Sequence, residues 1–183
     1  MDFMHRVQAV VILNDVGERV FTKYYVNDDM KNAQLLTTTE KQRTLEMAIH
    51  AAVQDPKYAH GSSQDVDIMI YGDHVVLTQT CEDVTFAVVG NAHENELVLY
   101  NVLCALVDAL QHSVKSADLT VRLLLEKYDV LVLTVDEIID EGIIFDTNAR
   151  CIADEVAPFV TESTADVARK ALNKVNKYLK ENL

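Results

Sequence analysis

FAVVGNAHENELVLYNVLCALVDALQHSVKSADLTVRLLLEKYDVLVLTVDEIIDEGIIFD, residues 86–146, decides the fold of this chain. A β-rich apolar run ends at Gly90. Asn91 then offers an N-cap for a helix over Glu94–Val114, with Glu94 and Glu96 suited to its first turn. Leu97, Tyr100, Leu103, Cys104, Val107 and Leu110 recur at helical spacing and are expected to form its inner stripe. The next stretch is a contest between two signals. VLVLTV at Val130–Val135 has strand propensity, but Val121, Leu124, Leu125, Tyr128, Leu131, Val132, Val135, Ile138 and Ile139 keep a helical period over several turns. Period over many residues outweighs propensity over six, so a helix is expected from Leu119 to Asp140, bent near Asp129 and stopped by Gly142. The block concentrates large apolar residues and holds almost no reactive chemistry. That profile belongs to a protein that acts by surface contact.

Upstream, Arg6–Asn14 and Arg19–Val26 are β-branched and aromatic runs around Asp15-Val16-Gly17-Glu18, a hairpin signature. Both carry apolar residues at odd and even positions, so the sheet should be covered on both faces. Asn27–Leu36 is polar and irregular; Thr37–Thr39 offers N-caps for a helix that must end before Pro56. After a Gly-Ser loop at Lys57–Gln64, three short strands follow (Val66–Tyr71, His74–Thr80, Val84–Val89), and links this short imply an antiparallel meander. Downstream, Asp146 or Thr147 caps a helix to about Ala157, and Pro158 breaks it. A last helix begins at Thr161–Thr164. Val167, Ala168, Ala171, Leu172, Val175, Tyr178 and Leu179 line one face, and it spans roughly 25 Å at about 1.5 Å per residue. Its Arg169, Lys170, Lys174, Lys177 and Lys180 make it the one basic stretch of an acidic chain. The order ββαβββαα plus trailing helices is an α+β fold, a five-stranded antiparallel sheet with helices on both faces. Residues 1–158 form one domain and 159–183 an amphipathic appendage.

The 183 residues carry a net charge of −13, with 49% hydrophobic residues. Such a surface repels phosphate backbones and anionic lipid, so nucleic acid is not an expected partner and neither is direct lipid docking. No stretch reads as a leader, a lipid anchor or the roughly 20 apolar residues of a membrane span, so a cytosolic protein is expected. Cys81, Cys104 and Cys151 have no CxxC spacing and read as buried free thiols.

The reactive inventory is thin. The six histidines show neither HExxH nor cysteines at zinc-ligand spacing. The five glycines build no phosphate loop, and GxSxG is absent. No catalytic, metal or cofactor residue is assigned, and no enzyme is expected. Asp136-Glu137 with Asp140-Glu141 would suit paired carboxylates or a cation, but Ile138 and Ile139 between them favour the solvated face of a helix. His93-Glu94-Asn95-Glu96 reads better as a helix start than as a catalytic fragment. Lys23-Tyr24-Tyr25 fits a recognition patch and a strand-end aromatic pair under a lysine stem equally well.

The element order matches the longin fold of trafficking proteins. Asp15–Tyr25 (DVGERVFTKYY) is similar to the opening hairpin of the coatomer zeta family. Val89–Leu99 (VGNAHENELVL) resembles that family's strand-to-helix junction, and Val135–Ile144 (VDEIIDEGII) its helix end. The resemblance runs from about Val7 to Pro158. Sigma chains of clathrin adaptors share the plan but usually carry Trp-Tyr or Trp-Phe after the hairpin lysine. This chain has no Trp, which favours zeta. The resemblance implies a non-catalytic subunit of the COPI coat, gripped by the large gamma subunit. It would be recruited to Golgi membranes and vesicles through an Arf-family GTPase, for retrograde traffic to the endoplasmic reticulum and within the Golgi. Sigma-type adaptor chains and other longin tethering subunits are the alternative. Tyr24, Tyr25, Tyr100 and Tyr128 are the candidate partner-contact residues, expected to be exposed; Tyr25→Ala should then weaken assembly more than folding. By analogy with the sigma chains, Val88, Asn95, Leu97 and Leu99 mark a candidate sorting-signal pocket.

Overall fold

The computed structural model describes residues 5–25, 36–55 and 65–160. Its centre is a five-stranded antiparallel sheet in the order β2-β1-β5-β4-β3. The strands are β1 (Val7–Asn14), β2 (Arg19–Tyr24), β3 (Val66–Tyr71), β4 (His74–Cys81) and β5 (Val84–Asn91). β1 with β2, β3 with β4 and β4 with β5 pair as hairpins, and β1 closes on β5 with Val10 opposite Val88 and Ile12 opposite Phe86. The expected α+β architecture is present, with helices on both faces.

Two cores follow from strand alternation. Val10, Ile12, Phe86 and Val88 point to one face; Ala9, Val11, Leu13, Ala87 and Val89 point to the other. A register shift between Val7 and Ala9 lets Val7 share the face of Val10. The smaller core is closed by α1 (Thr39–Gln54) through Leu45 and Ile49. Thr38 caps it, and Glu40 lies in the first turn. The larger core is closed by α2 (Glu96–Val114), α3 (Val121–Glu126), α4 (Tyr128–Ile138) and α5 (Ala149–Val156).

The helical side departs from expectation in several places. Asn95, not Asn91, caps α2 by accepting from Leu97 N. Asn91 instead accepts from His93 N in the preceding turn. Glu94 lies outside the helix and accepts from Arg6 N, with His5 Nδ1 2.6 Å from its other oxygen. The inner stripe of α2 is Leu99, Val102, Leu103, Leu106 and Leu110; Leu97 and Tyr100 face outward. The expected single helix over 119–140 is two, α3 and α4, joined at Lys127 (φ −120°). No glycine or proline marks that joint; it lets Leu124 and Leu131 both reach the core. Asp140 belongs to no helix. A small hairpin, β6 (Ile139–Asp140) and β7 (Ile143–Ile144), turns through Glu141 and Gly142, both at positive φ. Gly142 therefore serves a hairpin turn rather than a helix stop. A Cβ on it would lie 2.8 Å from Val7 O and 3.1 Å from Tyr25 Cβ. The cap of α5 is Asn148, not Asp146 or Thr147, and Pro158 sits inside a final 3₁₀ turn, Ala157–Phe159.

α2 is long and apolar enough to cross a bilayer, contrary to the reading that no run qualifies; here it is the core helix, packed on β4, β5, α4 and α5. Of the three thiols only Cys81 is buried, and burial pushes it up to about 11. Cys104 is half-buried and Cys151 exposed, a correction to the uniform burial expected. The expected loops at 27–35 and 57–64 and the final helix lie outside the described residues.

Candidate functional site

The four tyrosines divide by environment. Tyr24, at the end of edge strand β2, is half-buried against the α1 core. Its hydroxyl donates to Glu46 Oε1 at 2.7 Å, while Arg19 Nε donates to Glu46 Oε2 at 2.6 Å. Burial, then the carboxylate, raises the Tyr24 phenol well above its ordinary value; the hydrogen bond to Glu46 raises Arg19. The trio is a clasp between β2 and α1. Tyr25 points to the opposite core and is only 7% exposed. Lys23 Nζ sits 5.1 Å above its ring and reaches Asp136 on α4 at 2.6 Å. Burial raises the Tyr25 phenol, with Asp136 and Asp140 adding to it. Tyr25 is thus a core residue, which corrects the expectation that it is exposed. Lys23-Tyr24-Tyr25 is architectural on both of its faces.

Tyr100 and Tyr128 do reach solvent, at 41% and 43% exposure. Tyr100 lies beside Cys104 on α2, and a hydrogen bond between them raises its phenol. Tyr128 opens α4 and meets Phe21 of β2 edge-to-face at 6.3 Å. The residues proposed for a sorting-signal pocket differ in exposure. Val88 and Leu99 are wholly buried, Asn95 is the cap of α2, and Leu97 is exposed. Leu99 fills the space above Gly90, where a Cβ would come within 2.5 Å of Leu99 Cδ1.

Apolar surface that the sequence reading did not single out lies on the other edge of the sheet. Ile68 and Ile70 of β3 are exposed. They share a strand face with Val66, which packs on the larger core. The outer flank of α2 carries a further feature, an open trough made of two adjoining depressions of about 380 and 540 Å³, both lined by Cys104 and Asp108. Gln79, Glu82, Val107 and Asp118 line one part, and Asp146 and Asn148 the other. Its carboxylates come from four separate segments, so spacing along the chain carried no signal of it. Among the described residues no three His, Cys, Asp or Glu side chains come together as metal ligands. Asp136 of the acidic run pairs with Lys23, and Glu141 occupies the hairpin turn.

A small acidic domain with a doubly covered five-stranded sheet and exposed apolar residues on separate elements is built for contact with other protein. The chain belongs to the family of clathrin adaptor complex small chains, whose pattern it matches over residues 6–162. Within that family it is similar to coatomer subunit zeta of Saccharomyces cerevisiae, 33% identical over 84% of this chain and 78% of the yeast protein. It is also similar to probable coatomer subunit zeta-A of Dictyostelium discoideum, 28% identical over 99% and 95%. Coatomer subunit zeta-1 of Arabidopsis thaliana is 27% identical over 100% and 97%. In fold the chain resembles one in a structure titled a homology model of the full-length AP-3 complex in a stretched open conformation. The TM-score is 0.56 with 16% identity, covering 97% of this chain and 99% of that one.

Proposed function

We propose that this chain is a non-catalytic small subunit of a COPI-type vesicle coat, held by a large gamma-type subunit and brought to Golgi membranes by that assembly through an Arf-family GTPase. The observation that carries the reading is the 33% identity with yeast coatomer subunit zeta across 84% of the chain. The physical form agrees with it. Leu97 is 65% exposed and Ile70 75% exposed, large apolar groups that a permanent partner would cover. A heteromeric interface of this kind buries on the order of 2,000 Å² or more. Lys-Tyr-Tyr in place of a Trp-containing hairpin end supports zeta over sigma. Retrograde Golgi-to-endoplasmic-reticulum and intra-Golgi transport is the route this role implies.

Co-expression with a coatomer gamma trunk and size-exclusion chromatography tests the pairing. A single co-eluting peak at micromolar concentration is expected, and separate elution would count against it. Tyr100 and Tyr128 remain proposed contact residues; Tyr24 and Tyr25 would act only through the shape of the β2 edge.

A further inference from the structure

We infer that the acidic trough on the outer flank of α2 is the docking site of the chain's own basic C-terminal segment, residues 161–183. The trough is lined by Glu82, Asp108, Asp118 and Asp146, and among the described residues no lysine or arginine lines it. Carboxylates gathered without a cation repel one another and raise the local affinity for a positive ligand. Acidic surface alone would call only for water. A second observation asks for more. Gln79, on β4, is 8% exposed and lines the same trough, and its Oε1 has no hydrogen-bond partner. An unpaired buried acceptor costs about 1–3 kcal/mol, so a donor entering from the trough is favoured. Between the charges lie Cys104, Val107 and Leu119, which are apolar. The site therefore suits a ligand with an apolar face, positive charge and N–H donors.

The chain carries such a ligand. Residues 161–183 place Val167, Ala171, Val175 and Tyr178 at helical spacing, with Arg169, Lys170, Lys174, Lys177 and Lys180 off that line. Nothing comparable exists elsewhere in the sequence, whose net charge is −13. Reach permits the return. Val160 packs on the larger core at the far end of α5, and the trough begins at Asp146–Ala149, at the near end. α5 has 8 residues and spans about 12 Å, whereas residues 161–183 would cover roughly 35 Å as a helix and more if extended. The same carboxylates disfavour an acidic peptide in this place. The inference does not depend on membership of a coat.

Backbone hydrogen exchange on the full chain at low salt tests it. Amides of 167–180 should exchange at least about tenfold more slowly than unstructured chain. Asp108→Lys with Asp118→Lys should remove that protection, as should Lys174→Glu with Lys177→Glu, and the four changes together should restore part of it. Asp108 and Asp118 are exposed, so the core strands β1 and β5 should stay protected throughout. If the reversals disturb those strands, Asp108→Asn with Asp118→Asn replaces them and should weaken the protection. Coil-like exchange of 167–180 in the unaltered chain would overturn the inference, and so would protection indifferent to the trough's charge. Protection that rises with protein concentration would also overturn it, by making the occupant a second copy.

Discussion

Tyr25 and Tyr100 are both tyrosines in contact-rich surroundings, yet the structure gives them opposite physical roles. Tyr25 is buried between β2 and the β6–β7 hairpin, so Tyr25→Ala leaves a cavity and should cost about 3–5 kcal/mol in urea unfolding. Tyr100→Ala removes an exposed ring and should stay within about 0.5 kcal/mol of the parent. Equal costs for the two would refute the burial assignment. His74 offers a pH-dependent counterpart. It is wholly buried, its Nδ1 lies 2.7 Å from Gln8 Oε1, and its Nε2 has no partner. Burial holds its pKa below the ordinary value. The unfolded chain therefore takes up a proton near pH 6.5 that the native chain refuses. The stabilisation is present above that value and is lost as pH falls toward the folded pKa. The urea midpoint should drop between about pH 7.5 and 5.5, and drop less in His74→Gln. An identical drop in the variant would show that other groups carry the acid sensitivity.

At the scale of elements, the junction between β5 and α2 is set by close approach. Gly90 has no side chain because Leu99 occupies that space, so Gly90→Ala should destabilise by about 1–3 kcal/mol. In a Leu99→Ala background the same change should cost clearly less, since the clashing methyl is gone; an additive double mutant would contradict this packing. The helix start beside it depends on Asn95, and Asn95→Ala should cost about 1 kcal/mol in the same unfolding assay, whereas Asn91→Ala should cost less at that helix. The hairpin, the meander and α1 were legible because their signals are local: Asp15–Glu18 as a turn, a Thr before an amphipathic run, Gly72-Asp73 between strands. The break at Lys127 was legible only as a bend near Asp129, and the β6–β7 hairpin was not legible as a hairpin. A helical period persists across both, and what divides it is the placement of Leu124 and Leu131 against a core assembled from distant strands.

At the scale of the molecule, the two cores have different jobs. Among the described residues, the larger joins four helices to the sheet, while the smaller is one helix over one face. The Arg19–Glu46–Tyr24 clasp secures that helix to edge strand β2. Tyr24→Phe removes the donor to Glu46 and should cost about 1.5–3 kcal/mol, read as a lower urea midpoint with little change in slope. It should reduce co-elution with a gamma trunk only as far as it reduces folded protein. A loss of pairing with unchanged stability would move Tyr24 from the clasp to the interface.

The near-continuous apolar runs of β1 and β5, the caps and turns of the N-terminal half and the helical period of 97–138 determined the α+β class and element order without reference to any contact. Each of these is written within a few residues of itself. The inward face of α2, the burial of Tyr25 and the trough that joins Glu82, Asp108, Asp118 and Asp146 were decided only by tertiary structure. Helix spacing shows which residues share a stripe but not which stripe the sheet will cover. That choice rests on how β4, β5, α4 and α5 enclose α2 together, a constraint no single segment contains.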